Sequence, residues 1–223
     1  MVETKRPYRS AVREEQARST RRAIVESGAA LFIERGFGGT TVDAIAERAR
    51  VSRKTVFTSV GGKVGLLKLA IDWALVGDDE PVALDDRPAL RELARETEPA
   101  TVVRLWARLI TDIAGRLALL HPVLTAAADV DEEAAALHAL SERNRLGGAR
   151  GFVEQLEALD ALRQDLAVER AAAMASLLMD PLGYRRLVLD DGWTTAEYAD
   201  WMGRLTAASF LQDRTTAPPD WAP

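Results

Sequence analysis

Between Val51 and Lys63 the chain reads VSRKTVFTSVGGK, a run of hydroxyls and cations that ends in Gly-Gly-Lys. Two chemistries use such residues. In one, a glycine-rich loop closes its N–H groups around a nucleotide phosphate while a hydroxyl holds magnesium; in the other, a helix lays the same side chains on a polyanion. Spacing separates the two. A phosphate loop of the form G-x-x-x-x-G-K-[ST] needs Gly where Phe57 stands and Ser or Thr where Val64 stands, so both positions that carry the mechanism are wrong.

On a helix capped by Ser52, the residues Arg53, Lys54, Thr55 and Thr58 fall on the exposed side. Arg and Lys donate to guanine O6 and N7, and a threonine methyl fits a thymine methyl. Thr41 and Ser59 offer hydroxyls to phosphate oxygens, and Lys63 begins the next helix, where its charge and the free N–H groups both favour an anion.

The elements that position these groups are legible as periodicity. From about Thr20, apolar residues recur at Ile24, Gly28, Leu31 and Phe32, one helical face, which Gly36 ends; Phe37 is placed to fold back on Phe32. TTVDAIAERA is a second helix, with Thr40 and Asp43 in capping-box spacing and Val42, Ile45, Ala46 and Ala49 as its stripe. Ser52 caps the third, whose Val51, Val56 and Val60 face inward. Two short helices joined by a tight turn form a helix-turn-helix, whose second member enters the major groove. Gly61-Gly62 then turns the chain into a helix over 63–76.

Residues 1–18 read as a mobile basic arm running into the first helix, and Asp78 to Pro88 as an acidic connection. Helices follow over 88–97, 101–119, 122–128, 132–160, 167–179, 181–190 and 195–212, with Thr194 and Glu197 in a second capping box after the stop at Gly192. Nothing alternates with period two. The fold class is therefore all-α, arranged as a basic arm and helix-turn-helix DNA-binding domain (1–62), a connecting helix (63–77), a larger helical domain (78–214) and a loose tail (215–223).

Charge supports that division. Residues 1–75 hold 14 Lys and Arg against 8 Asp and Glu, whereas residues 76–223 hold 15 against 26, beneath a net charge of −5. One third of the chain suits a polyanion and the remainder repels it. There is no Cys, which excludes disulfides and thiolate sites, and the 2 His are far apart in sequence, so no metal or other cofactor is expected. With no signal-like start and no apolar run long enough for a bilayer, the expected protein is cytoplasmic and independent of membranes.

The stretch ALFIERGFGGTTVDAIAERARVSRKTVFTSVGGKVGLLKLAI, residues 30–71, resembles the N-terminal segment of TetR-type transcriptional regulators. The resemblance implies an all-helical homodimer with an N-terminal reading head, dimerisation through late helices, and a small-molecule effector pocket in the larger domain. It also implies double-stranded operator DNA as the partner, and so a ligand-responsive repressor on a pseudo-palindromic site. Two departures stand out. Arg50 occupies the turn where relatives commonly carry Gly, at a cost of about 1–2 kcal/mol if left-handed, although its charge can reach phosphate. Phe57, Ser59 and Val60 replace a tyrosine and further aromatics, losing a phenolic hydroxyl. These departures are the support for a rival, a helical small-molecule-binding dimer whose reading head is vestigial.

Beyond residue 75 the signals are weaker. Trp106, Ile110, Ile113, His138, Met174 and Tyr184 are the candidates for an apolar or amphipathic effector pocket, set against ordinary core packing; His121 and His138 are read as helix-end or surface residues. DVDEE, 129–133, is the acidic start of a helix. No nucleophile–base motif is present, so no catalytic residue is assigned and an enzyme is not expected.

Overall fold

The computed structural model describes residues 6–212, with side chains from Arg13 onward; the loose tail expected at 215–223 lies outside them. The described residues are helical throughout, apart from short connections and one isolated bridge between Leu162 and Leu211.

The first helix, α1 (Arg6–Gly39), starts well inside the stretch expected to be a mobile arm. Pro7 fits there because a first turn needs no N–H from it. Further along, Arg18 and Arg22 both grip Asp79, which lies just past the end of the fourth helix. Gly36 breaks α1 at φ 71°, ψ 170°, the stop read from the sequence, and Phe37 stacks on Phe32 with ring centroids 5.8 Å apart.

Helices α2 (Val42–Arg48), α3 (Arg53–Val60) and α4 (Lys63–Val76) follow. The capping box expected at Thr40 and Asp43 is not formed. Thr41 is the N-cap, accepting from the Ala44 N–H at 3.1 Å. Thr40 is buried instead, its hydroxyl aimed at the carbonyls of Gly36 (2.8 Å) and Leu31 (3.1 Å) that the α1 break leaves open. Gly28 lets α1 and α4 approach: a Cβ there would lie 2.4 Å from Leu66 Cδ2.

The chain forms two compact units, and their boundary is not the single one expected near residue 78. Among the described residues, the first unit runs from α1 through Glu80 and also takes in 119–139, while the second comprises 81–118 and 140–212. In the first unit α7 (His121–Ala128) buries Val123, Leu124 and Ala127 and packs against α1.

The second unit is built on α6 (Pro99–Leu117), as its all-round apolar pattern implies. Val102, Val103, Trp106, Ala107, Ile110 and Ala114 are buried. The helix starts two residues earlier than expected because the Glu98 carboxylate accepts from the N–H groups of Ala100 and Thr101. Around it stand α5 (Pro88–Arg95), the later part of α8 (Glu132–Ala158), α9 (Val168–Leu178), α10 (Pro181–Tyr184) and α11 (Thr195–Phe210). Trp106 stacks on Phe152 at 4.3 Å, and Phe152 meets Phe210 edge-on at 6.1 Å. The helix read over 181–190 widens into a π-turn at Arg185–Asp190 before Gly192, at φ 78°, stops it. The Thr194–Glu197 capping box then opens α11. Among the described residues no single helix is long and apolar enough to cross a membrane.

Candidate nucleic-acid interface

The outer face of α3 is set by its cap. Ser52 Oγ accepts from the Thr55 N–H at 3.1 Å and lies 2.8 Å from Thr55 Oγ1, so both hydroxyls are committed to starting the helix. Val56 and Val60 go inward, which leaves Arg53, Lys54, Phe57 and Thr58 exposed. The Thr58 hydroxyl turns back to the Lys54 carbonyl at 3.1 Å, leaving its methyl on the outer side. Ser59 is half-buried and Thr41 is exposed at the head of α2.

Arg53 is held rather than free. Its Nη1 donates to Asp43 Oδ2 at 3.0 Å, and its guanidinium lies 5.7 Å from the centre of the Phe57 ring, itself 45% exposed. The cation is therefore laid across the surface between α2 and α3. Asp43 has a role that its sequence spacing does not announce, since ten residues and a turn separate it from Arg53.

Arg50 sits in the turn at φ 56°, the left-handed conformation that glycine would adopt without strain, with its side chain exposed. Gly61 (φ 77°) and Gly62 (φ 122°) make the tight turn into α4. Lys63 departs from its expected posture. Its ammonium donates to the Phe37 carbonyl at 2.7 Å and lies 3.9 Å from the centre of the Phe37 ring, drawn to the negative end of α1 and to an aromatic face.

The six effector candidates are not all brought together. Trp106, Ile110 and Tyr184 are buried in the core of the second unit, with Ile113 packed against it. The Tyr184 hydroxyl is 2.9 Å from Thr195 Oγ1, and its ring meets Tyr198 edge-on at 5.2 Å. Burial pushes the Tyr198 phenol up to about 12. Met174 is 42% exposed on α9, and His138 belongs to the first unit, beside His121. An open depression of about 580 Å³ along α5, lined by Pro88, Arg91, Glu92, Arg95 and Glu96, includes none of the six.

A family model described as bacterial regulatory proteins, tetR family, matches residues 24–70, which hold the end of α1, the helix-turn-helix and most of α4. The HTH-type transcriptional regulator YdeS of Bacillus subtilis (strain 168) is 28% identical over 174 residues, covering 77% of this chain and 80% of the relative. Among solved structures, a SmeT–triclosan complex is similar with a TM-score of 0.67 and 18% identity, over 92% of this chain and 99% of that one. AibR, crystallised with isovaleryl coenzyme A and operator DNA, is similar with a TM-score of 0.62 and 20% identity, over 86% of this chain and 100% of that one.

Proposed function

We propose that this chain is a transcriptional regulator of the TetR type and acts as a ligand-responsive repressor, a reading supported by the family-model match over residues 24–70. As a homodimer it sets two α3 helices in successive major grooves of a pseudo-palindromic operator. The observation that carries this reading is the outer face of α3, where Arg53, Lys54 and Thr58 are exposed together beside the Gly61-Gly62 turn. Arg53 and Lys54 read base edges, Thr58 offers its methyl, and Thr41, Arg50 and Ser59 engage the backbone. Ser52, Thr55 and Phe57 shape the helix that presents them, and Lys63 keeps two of its three donors for phosphate while pinning Phe37.

Dimerisation through late helices is supported by apolar side chains left on the surface: Met174 at 42% and Leu177 at 73% exposure on α9, followed by Leu182 and Leu189. An apolar or amphipathic ligand taken up by the second unit changes the separation of the two heads, so that both no longer engage one operator.

Selection of the purified protein against a random duplex pool tests the reading. The expected product is an inverted repeat whose binding falls steeply with salt and is lost in Arg53→Ala. No enrichment at low salt from a folded dimer would favour a vestigial reading head, the rival that Arg50, Ser59 and Val60 suggest.

A further inference from the structure

We propose that His121 and His138 form a binding site for a divalent transition-metal ion of the zinc, nickel or copper kind. The two histidines are the only ones in the chain, and there is no cysteine. Seventeen positions separate them, yet the fold sets them side by side within the first unit. Helix α7 begins at His121, ends at Ala128, and reverses through a short turn into α8, which carries His138 on its second turn. That turn is fixed at both ends: the Val130 N–H bonds to the Ala127 carbonyl at 3.1 Å, and Asp131 Oδ1 accepts from the Ala134 N–H at 3.0 Å.

The imidazole rings lie with centroids 6.2 Å apart and planes tilted by 45°, and their candidate donor nitrogens are within 4.8 Å. Zinc bound to two imidazoles at about 2.0–2.1 Å holds their nitrogens roughly 3.4 Å apart, so binding draws the two rings closer together. Both residues are half-buried, which leaves room for water on the open side of the ion. Imidazole donors select zinc, nickel and copper over magnesium or calcium, which prefer all-oxygen sets.

The position gives the site a consequence. Helix α7 packs on α1, the helix that leads into the reading head, so an ion joining α7 to α8 stiffens the segment on which α1 rests. That link to DNA rests on the regulator reading, whereas the ion site itself does not.

The test uses the full chain without an affinity tag. Cobalt is titrated and followed by its visible absorption, and zinc affinity is measured by competition with a chromophoric chelator. The expected result is one ion per chain, with His121→Gln and His138→Gln each weakening binding by about tenfold or more. Equal affinity in the wild type and the double variant would overturn the site. A second measurement needs no variant: the two imidazole Cε1–H resonances must shift together on adding zinc, and movement of neither, or of only one, overturns the proposal. Operator affinity with and without zinc is read separately. An unchanged operator affinity beside intact zinc binding rejects the coupling to DNA but not the site. Loss of operator binding in every condition rejects the regulator reading alone.

Discussion

Arg53 and Asp43 face each other across the turn of the helix-turn-helix, Nη1 to Oδ2 at 3.0 Å, with their side chains 60% and 69% exposed. Water screens such a pair, so its contribution to stability is small, about 0.5 kcal/mol or less. Its effect falls on DNA instead, because Arg53 must leave Asp43 or bring it along to reach a base. Asp43→Ala is expected to leave the melting temperature nearly unchanged while raising affinity for non-specific duplex and relaxing base preference. Fluorescence polarisation on specific and random duplexes checks this; unchanged discrimination would remove Asp43 from the reading mechanism.

Arg50 carries a backbone conformation that costs a non-glycine residue about 1–2 kcal/mol. Arg50→Gly relieves that strain but loosens the unfolded chain, so a net gain of about 1 kcal/mol or less is expected in chemical denaturation. Operator affinity should fall at the same time, with a shallower salt dependence, if the guanidinium reaches phosphate.

Gly65 has no room for a side chain. A Cβ there would stand 2.2 Å from the Val60 carbonyl oxygen, a backbone atom that cannot swing away. Gly65→Ala is expected to cost about 1–3 kcal/mol by forcing the turn between α3 and α4 open. Operator binding should fall more than the loss of folded protein explains, which circular dichroism and binding on the same sample would separate.

Asp79 accepts from both Arg18 and Arg22, and these hydrogen bonds, with the two positive charges, hold its carboxyl far below the usual carboxylate range. A carboxyl whose folded value is depressed contributes stability above its unfolded value near 4, and the contribution is lost as pH falls further toward the folded value. Denaturation midpoints of wild type and Asp79→Asn should therefore differ at pH 7 and converge as pH drops below about 4. With the arginines half exposed, solvent screening keeps the neutral-pH difference small. A gap that persists undiminished at pH 3 would assign the effect to something other than this clamp.

Leu177, 73% exposed on α9, is a large apolar side chain that a monomer gains nothing by displaying. Leu177→Arg is expected to shift the protein toward monomer in analytical ultracentrifugation and to weaken operator binding at nanomolar protein, with little change in helicity. A stable dimer in the variant would move the interface elsewhere.

The amino-acid sequence by itself determined the helices and where they stop. The breaks at Gly36 and Gly192, the Ser52 cap, the Thr194–Glu197 box and the Gly61-Gly62 turn are settled within a few residues, because capping bonds and left-handed turns are local. Periodicity likewise marked Val56 and Val60 as inward and Arg53, Lys54 and Thr58 as outward, but it also placed Thr55 outside, where the structure half-buries it against the Ser52 cap. Tertiary structure alone decided which face met which. It turned Lys63 to Phe37 and Asp43 to Arg53, buried Thr40, joined α7 to the first unit, left Met174 outside, and set His121 beside His138. Periodicity states which side chains share a face of a helix, but the neighbour of that face is chosen by the burial of every other helix at once.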